Sequence, residues 1–376
     1  MPVTTDAPNL SILHVLTLNG RNGEYGGPVR VARELCSELN SRGHATHIFS
    51  GARKGSEPLP KPGLAESFVL VKPISKNLSV SSLWSWKLLR PLNRLIKNAD
   101  VVHIHFARDL VSFLAAFLCI LKKKPFVTQT HGMIILDGRT STRVTDLFLT
   151  KPLINRSRIN LVLTEIEMSS VKTLNLKSPA RILPNGIATN NLNNLTDLSS
   201  NRVIFCSRLD KRKGIDKFIE LADVFKDTKF TFEIYGPDGG ELHFVLNEIT
   251  KRKLEDKVLY KGALLAHEVL DVLDGAGLLI LPSKDEPFPM VILEAISIGT
   301  PVLVMPSCGI APKLAVFNHA FVSKSEDLDG LVQSFEALQA KEFRIDKLEL
   351  INFAKKHFGI DKVVDKLSAV YYAALN

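Results

Sequence analysis

The pattern that most constrains this chain is an alternation of short apolar runs with helical periodicity, carried out twice. Ile12 to Leu18 is an apolar run, followed by a glycine-bearing loop and then the helical pattern Val29 to Leu39. Gly43 suits the end of that helix, and a second strand-like run, Ala45 to Ser50, follows it. Asp100 to His105 reads as a buried parallel strand, Leu110 to Leu121 as a helix, and Pro125 to Thr130 and Asn160 to Thr164 as two more strands. The alternation stops in the Asn-rich run Ala188 to Asn201, which has too little apolar surface to pack and marks a domain boundary. It then resumes. Arg202 to Cys206, Phe230 to Tyr235, Val258 to Tyr260, Leu278 to Leu281 and Pro301 to Met305 read as strands, with helices at Gly214 to Phe225 and Met290 to Ser297. Strands separated by helices imply parallel sheets covered on both faces. The expectation is an α/β protein of two similar doubly wound domains facing each other across a cleft, with ligands bound beyond the carboxyl ends of the strands.

Composition narrows the partners. The longest apolar run, Leu110 to Leu121, meets Lys122, Lys123 and Lys124 well before it could span a bilayer, so it reads as a buried helix. The first residues lack a basic region followed by an apolar stretch, and the expected location is cytoplasmic. Cys36, Cys119, Cys206 and Cys308 have no paired spacing and read as reduced thiols, neither a zinc site nor a disulfide frame. The formal charge of +9 is unevenly divided: residues 1–190 hold 25 Lys+Arg and 12 Asp+Glu, a balance of +13, and the remainder 23 and 27, a balance of −4. The first half therefore presents a basic surface to an anionic partner. No platform of interleaved aromatic and basic residues is present for stacking bases, which argues against nucleic acid.

The segment Glu286 to Glu294 follows a strand and opens a helix. Two carboxylates seven residues apart, one in the loop and one two helical turns on, can face a ligand over the helix N-terminus, where free N–H groups and the helix dipole suit a phosphate. Spacing alone equally allows Glu286 to cap the helix and Glu294 to be solvated. Arg208 and Lys213 follow another strand and supply a forked and a compact cation for phosphate oxygens, or else belong to a solvated basic turn with Lys211 and Arg212. Gly26 and Gly27 miss the dinucleotide-binding spacing. They would let the backbone approach a phosphate, or form a plain turn. His131 stands directly after a strand with Gly132 beside it, whereas His103 and His105 alternate along a strand and are expected to satisfy buried backbone groups.

Taken together these segments resemble the retaining glycosyltransferases of family 4, whose GT-B fold consists of two facing Rossmann-like domains. Glu286 to Glu294 is similar to the family's paired-glutamate motif and Ser207 to Gly214 to its phosphate-binding segment. Gly26, Gly27 and Arg30 resemble its first-domain loop, Thr130-His131-Gly132 its catalytic histidine loop, and Leu183 to Gly186 its entry to the second domain. The resemblance implies domains at 1–190 and 191–358, with a helix at 359–376 returning to the first. It implies catalytic roles for His131, Arg208, Lys213 and Glu286. Donor contacts would come from Gly26, Gly27, Arg208, Lys213, Glu286, Phe288, Met290, Val291 and Glu294. Pro287 and Pro289 depart from the small residues common in the family and cannot donate a backbone N–H to the sugar. Ala188 replaces an acid often found there.

The expected activity is retaining transfer of a sugar from a nucleotide diphosphate sugar to a hydroxyl, on a glycan or lipid-linked acceptor, with no metal and no cofactor. Asp327-Leu328-Asp329 satisfies a metal-binding pattern of another transferase fold but precedes a helical run and reads as a cap. Leu83 to Lys97, with two tryptophans and four cations, suits either an anionic membrane surface or a core-facing helix with a basic edge. Competing readings are a nucleotide-sugar epimerase on the same architecture and a non-enzymatic basic membrane-binding protein.

Overall fold

A computed structural model describes residues 8–21, 27–74, 80–134, 140–188, 200–265, 267–339 and 346–376. The chain divides into two compact units, residues 1–188 with 360–376, and residues 189–359. Gly26 and most of the Asn-rich run lie outside the described residues.

The first unit is built on a seven-stranded parallel sheet. Its strands are β1 (Ser11–Leu18), β2 (Ala45–Ala52), β3 (Ala65–Leu70), β6 (Val101–His105), β7 (Phe126–Gln129), β8 (Ile159–Val162) and β9 (Ala180–Ile182), in the spatial order β3-β2-β1-β6-β7-β8-β9. A small antiparallel ribbon, β4 (Lys72–Pro73) and β5 (Leu83–Trp84), lies apart from it. The helices are α1 (Gly27–Ser41), α2 (Leu89–Asn98), α3 (Leu110–Leu121), α4 (Thr140–Thr145), α5 (Lys151–Ile154) and α6 (Glu165–Thr173). Every residue of β6, β7 and β8 is buried, as expected for parallel strands covered on both faces. Leu13, Val15, Val102, Ile104, Phe106, Val111, Ala115 and Phe126 pack into one core between the sheet and its helices. The carboxylate of Asp109 starts α3 by accepting from the N–H groups of Val111 and Ser112, both at 2.9 Å.

The second unit repeats the scheme on five parallel strands: β10 (Arg202–Cys206), β11 (Thr231–Tyr235), β12 (Val258–Gly262), β13 (Leu278–Leu281) and β14 (Val302–Val304), in the order β12-β11-β10-β13-β14. Its helices are α7 (Ile215–Val224), α8 (Leu242–Lys251), α9 (Glu268–Asp274), α10 (Met290–Ser297), α11 (Ala311–Phe317), α12 (Leu328–Gln339) and α13 (Lys347–Phe358). The chain then returns to the first unit. The N–H of Ile360 donates to the carbonyl of Ile187 at 3.0 Å, and α14 (Ile360–Leu375) buries Val363, Val364, Leu367, Tyr371 and Ala374 against α1, β6 and β7. Among the described residues no helix is long and apolar enough to cross a membrane.

The segment Leu83 to Lys97 is not one helix. It contains β5, a 3-10 turn (Trp86–Leu88) and α2, and Pro91 sits in the first turn of α2, where its missing N–H costs nothing. Leu88, Leu92 and Ile96 join the core while Trp86 stays exposed, so this is a core-facing helix with a basic edge. Asp327 accepts from the N–H of Gly330 at 2.9 Å and caps α12, as the sequence suggested.

In both sheets the winding reverses, between β1 and β6 in the first and between β10 and β13 in the second, which opens the loops at those strand ends to a ligand. The β10 and β13 loops also touch. Gly214 adopts a left-handed conformation (φ 71°), and a Cβ there would lie 2.0 Å from the carbonyl oxygen of Pro282. Gly214→Ala is therefore expected to destabilise the protein by about 2–4 kcal/mol, measured by urea denaturation; an unchanged midpoint would show that the loops part at no cost.

Candidate functional site

In the second unit the residues singled out by sequence converge on the switch point. After β10 the N–H groups of Ser207 and Leu209 bond to the carbonyls of Tyr235 and Pro237 at 3.0 and 2.9 Å, which fixes the loop against its neighbour. Asp210 caps a 3-10 turn (Lys211–Lys213) by accepting from the N–H of Arg212 at 3.0 Å, and this turn aims Lys213 across to the β13 loop. The Nζ of Lys213 donates to Oε2 of Glu286 at 2.7 Å, with both side chains largely shielded from water. Arg208 is different. Half exposed, it makes among the described residues a loose 3.7 Å ion pair with Asp210, the kind of surface pair that contributes little and leaves the guanidinium available.

Three loops are knitted together around Glu286. The N–H of Gly309, beyond β14, donates to the carbonyl of Glu286 at 2.8 Å. The N–H of Lys284 reaches the carbonyl of Arg212 at 3.0 Å, and that of Asp285 reaches the hydroxyl of Ser307 at 3.0 Å. Glu286 thus pairs with Lys213 and does not cap α10; Pro289 occupies the capping position. Glu294, one of the two carboxylates in the pattern, is only 2 % exposed on α10, so the solvated alternative is set aside. Met290 is buried at the start of the same helix, and Val291 is half-buried. The ring of Phe288 is buried edge-on to Phe358, 5.8 Å between centroids, and anchors the loop.

In the first unit, Gly27 opens α1, and among the described residues nothing lies within 4 Å of where its side chain would begin. His131, 8 % exposed, follows β7 with φ of 49°, a left-handed conformation rare for a residue with a side chain, and Gly132 continues the turn at φ 71°. Glu167 holds this turn. Its Oε1 accepts from the hydroxyl of Thr130 and the N–H of Gly132, both at 2.6 Å, and its Oε2 accepts from the N–H of Leu163 at 2.6 Å. Sequence reading missed Glu167. The signal was present as Thr164-x-x-Glu167, the form of a capping box, and the N–H of Glu167 does bond to Thr164 Oγ1 at 3.1 Å. The carboxylate, however, turns to the histidine loop.

The expectation that His103 and His105 satisfy backbone groups is corrected. Their ring nitrogens bond to other side chains: His105 to His14 at 3.0 Å and to His131 at 2.7 Å, and His103 to Tyr371 at 2.7 Å. The parallel register of β1 and β6 sets His14 opposite His103, so the rings share one face of the sheet. Burial holds His14 and His131 down to about 3. It also puts His103 and His105 well below the ordinary imidazole range, reinforced by the neighbouring histidines. These are neutral rings suited to hydrogen bonding. His14, His103 and His105 also offer nitrogens within 4.8 Å of one another, close enough for one metal ion.

Two family patterns match the sequence: Glycosyltransferase Family 4 over residues 25–191 and Glycosyl transferases group 1 over residues 190–357. The chain is 22% identical to N-acetyl-alpha-D-glucosaminyl L-malate synthase of Bacillus anthracis over 93% of this chain and 94% of that one. It is 23% identical to a 41.2 kDa protein in the cps region of Klebsiella pneumoniae over 78% of this chain and 84% of the other. Among solved structures, Anabaena HepE in complex with UDP and glucose has a similar fold, with a TM-score of 0.76, 16% identity and coverage of 97% and 100% of the two chains.

The lowered imidazoles carry a sign. Below about pH 6.5 the unfolded chain binds protons that the folded rings refuse, so stability must fall as the pH drops from 6.5 toward 3. His44 and His47, lowered by burial and by Arg42 and Arg94 respectively, act in the same direction. Urea midpoints should fall between pH 7 and pH 5, opposed in part by Asp109 and Glu167, whose carboxyls burial pushes up so that they gain stability on protonation; a flat profile in a folded Asp109→Asn, Glu167→Gln variant would mean that the rings are not buried and neutral.

Proposed function

Because the chain belongs to glycosyltransferase family 4, a GT-B family that takes its sugar from a nucleotide sugar, we propose that it is a retaining, metal-independent transferase of surface polysaccharide or glycolipid assembly. The observation that carries the donor reading is the Lys213–Glu286 pair at 2.7 Å between the loops of β10 and β13, with Arg208 half exposed beside it. A diphosphate leaving group gathers negative charge as the bond to the sugar breaks, and fixed cations beside it lower that barrier. Arg208 and Lys213 take this role. Glu286 accepts from sugar hydroxyls and Glu294 from the ribose, since ionised carboxylates suit vicinal hydroxyls.

Phe288, Met290 and Val291 shape the entry to α10, whose first N–H groups have no partner within the helix and favour a phosphate. Gly27, with Gly26 beside it, leaves room for the backbone to approach the donor. His131, neutral and held in a strained turn by Glu167, is the hydrogen-bonding partner of the sugar near the reacting carbon. The acceptor hydroxyl attacks the face from which the diphosphate departs, and the departing phosphate takes the acceptor proton. No group other than the donor is required as a cofactor.

The acceptor is a glycan or lipid-linked hydroxyl at an anionic membrane surface on the cytoplasmic side. Two features support this: the +13 balance of residues 1–190 and a run of exposed apolar side chains, Val144, Leu147, Phe148 and Leu149, flanked by Arg143 and Lys151. The similarity to a protein of the Klebsiella cps region points the same way.

A screen of uridine and guanosine diphosphate sugars should find one that raises the melting temperature, and mass spectrometry should show its sugar joined to an acceptor with the anomeric configuration kept. Arg208→Ala and Lys213→Ala are each expected to lower kcat/KM by about 10²–10³-fold, and chelation of divalent metal to leave the rate unchanged. Sugar released or rearranged without any acceptor would instead favour an epimerase. For the membrane surface, Phe148→Ser should weaken sedimentation with vesicles rich in anionic lipid while leaving turnover on a soluble acceptor intact; equal binding to neutral vesicles would remove that part of the reading.

A further inference from the structure

Four histidines and a tyrosine drawn from four separate segments form one unbroken hydrogen-bonded chain in the first unit. His14 lies on β1, His103 and His105 on β6, His131 after β7 and Tyr371 on α14. Tyr371 Oη bonds to His103 Nδ1 at 2.7 Å and to His14 Nε2 at 3.2 Å. His14 Nδ1 meets His105 Nε2 at 3.0 Å, and His105 Nδ1 meets His131 Nε2 at 2.7 Å. The rings of His103 and His105 are nearly parallel, 5° apart at 4.6 Å, and those of His105 and His131 10° apart at 5.0 Å. All five side chains are buried.

Counting hydrogens limits this chain sharply. A neutral imidazole has one N–H and one lone pair, and a phenol has one O–H, so every link must join a hydrogen to a lone pair. If Tyr371 donates to His14, then His14 must hold its proton on Nδ1 to donate to His105, which must do the same toward His131, while His103 donates to the phenol from its own Nδ1. All four rings then carry the proton on Nδ1. If Tyr371 donates to His103, every link reverses and all four carry it on Nε2. Any mixed set leaves two hydrogens or two lone pairs facing each other or, where both rings donate to the phenol oxygen, a phenol hydrogen with no acceptor in the chain, and in a dry interior each of these is costly.

The two ends of the chain set what each arrangement can do. His103 Nε2 is buried beside the side-chain amide of Gln129, whose nitrogen and oxygen have no other partner among the described residues and which can donate to a lone pair or accept an N–H. At the other end only Nδ1 of His131 lies outside the chain. We propose that His14, His103, His105 and Tyr371 are positioning residues that lock His131 into a single tautomer shared by all four rings, so that its Nδ1 presents one fixed hydrogen-bonding character to the donor sugar. A metal on His14, His103 and His105 would compete, because His14 and His105 already commit both nitrogens to the chain.

The proposal rests on the reading of His131 as the partner of the sugar, and its test separates the two. Full-length protein labelled with 15N at histidine is observed at pH 7 by long-range proton–nitrogen correlation, and the ring of His131 is assigned by its loss in His131→Asn. The expected result is one tautomer, the same for all four buried rings. In Tyr371→Phe the His131 nitrogens should shift away from that pattern, and kcat should fall about tenfold or more with the donor KM little changed. Mixed tautomers, a charged ring among the four, or stoichiometric bound metal would each overturn the proposal, and the wild-type spectrum decides this even if Tyr371→Phe does not fold. Unchanged His131 signals in a folded Tyr371→Phe would do the same. Full turnover in His131→Asn would remove its place at the sugar, an outcome distinct from any failure of the shared tautomer.

Discussion

The reversal of winding between β10 and β13 is the constraint on which the second unit's chemistry depends. Helices leave these adjacent strands in opposite directions, so their carboxyl ends are not roofed by a crossover, and side chains from two distant segments meet there. Close contact makes the meeting exact in register: Gly214 admits the carbonyl of Pro282, and the next residue back, Lys213, then reaches Glu286. The carbonyl of Glu286 is tied in turn to the β14 loop through Gly309. Cation, carboxylate and backbone are thus held in place by the fold itself, the condition under which preorganised charges become effective.

The two units handle polarity differently. In the second, Lys213 is neutralised by Glu286 and Arg208 stands half in solvent, while Glu294 is buried on α10. In the first, the polar residues beside the strand ends are buried, and burial removes their charge: the imidazoles stay neutral and satisfy one another. Glu167 is a buried carboxyl, its pKa pushed up by burial, that accepts three hydrogen bonds and thereby holds the left-handed turn at His131. Strain at that turn and its support by a neighbouring element belong together, since a rare backbone conformation persists only where its surroundings over-determine it.

What could be read from sequence was whatever depended on neighbours along the chain. The strands β10 and β13 and the helix α10 announce themselves by apolar periodicity, and Arg208, Lys213, Glu286 and Glu294 by their places just beyond those strands. Periodicity says nothing about which strands lie side by side. His14 and Tyr371 are 357 residues apart in sequence, and only the parallel register of β1 with β6 and the return of α14 bring them together. Glu167 was hidden for another reason: its spacing from Thr164 is fully accounted for by a local helix start, which masks its longer-range use. The short edge strands β3 and β9 were missed because their exposed faces carry residues that interrupt an apolar run. The tryptophans at 84 and 86 suggested one amphipathic helix where the chain forms a strand, a turn and a helix.

The return of α14 also sets an order of events during synthesis. The second unit is one continuous stretch of chain and can close as soon as its last helix, α13, has emerged. The first unit, although translated earlier, lacks the helix that covers part of its sheet until residues 360–376 are made. Until then His14 and His103 have no phenol to join them, and the apolar ground under Val363, Leu367 and Tyr371 stays open to water or to a chaperone. The unit that begins first is finished last, and a ribosome stalled before residue 360 would leave the first unit unfinished when the second is complete.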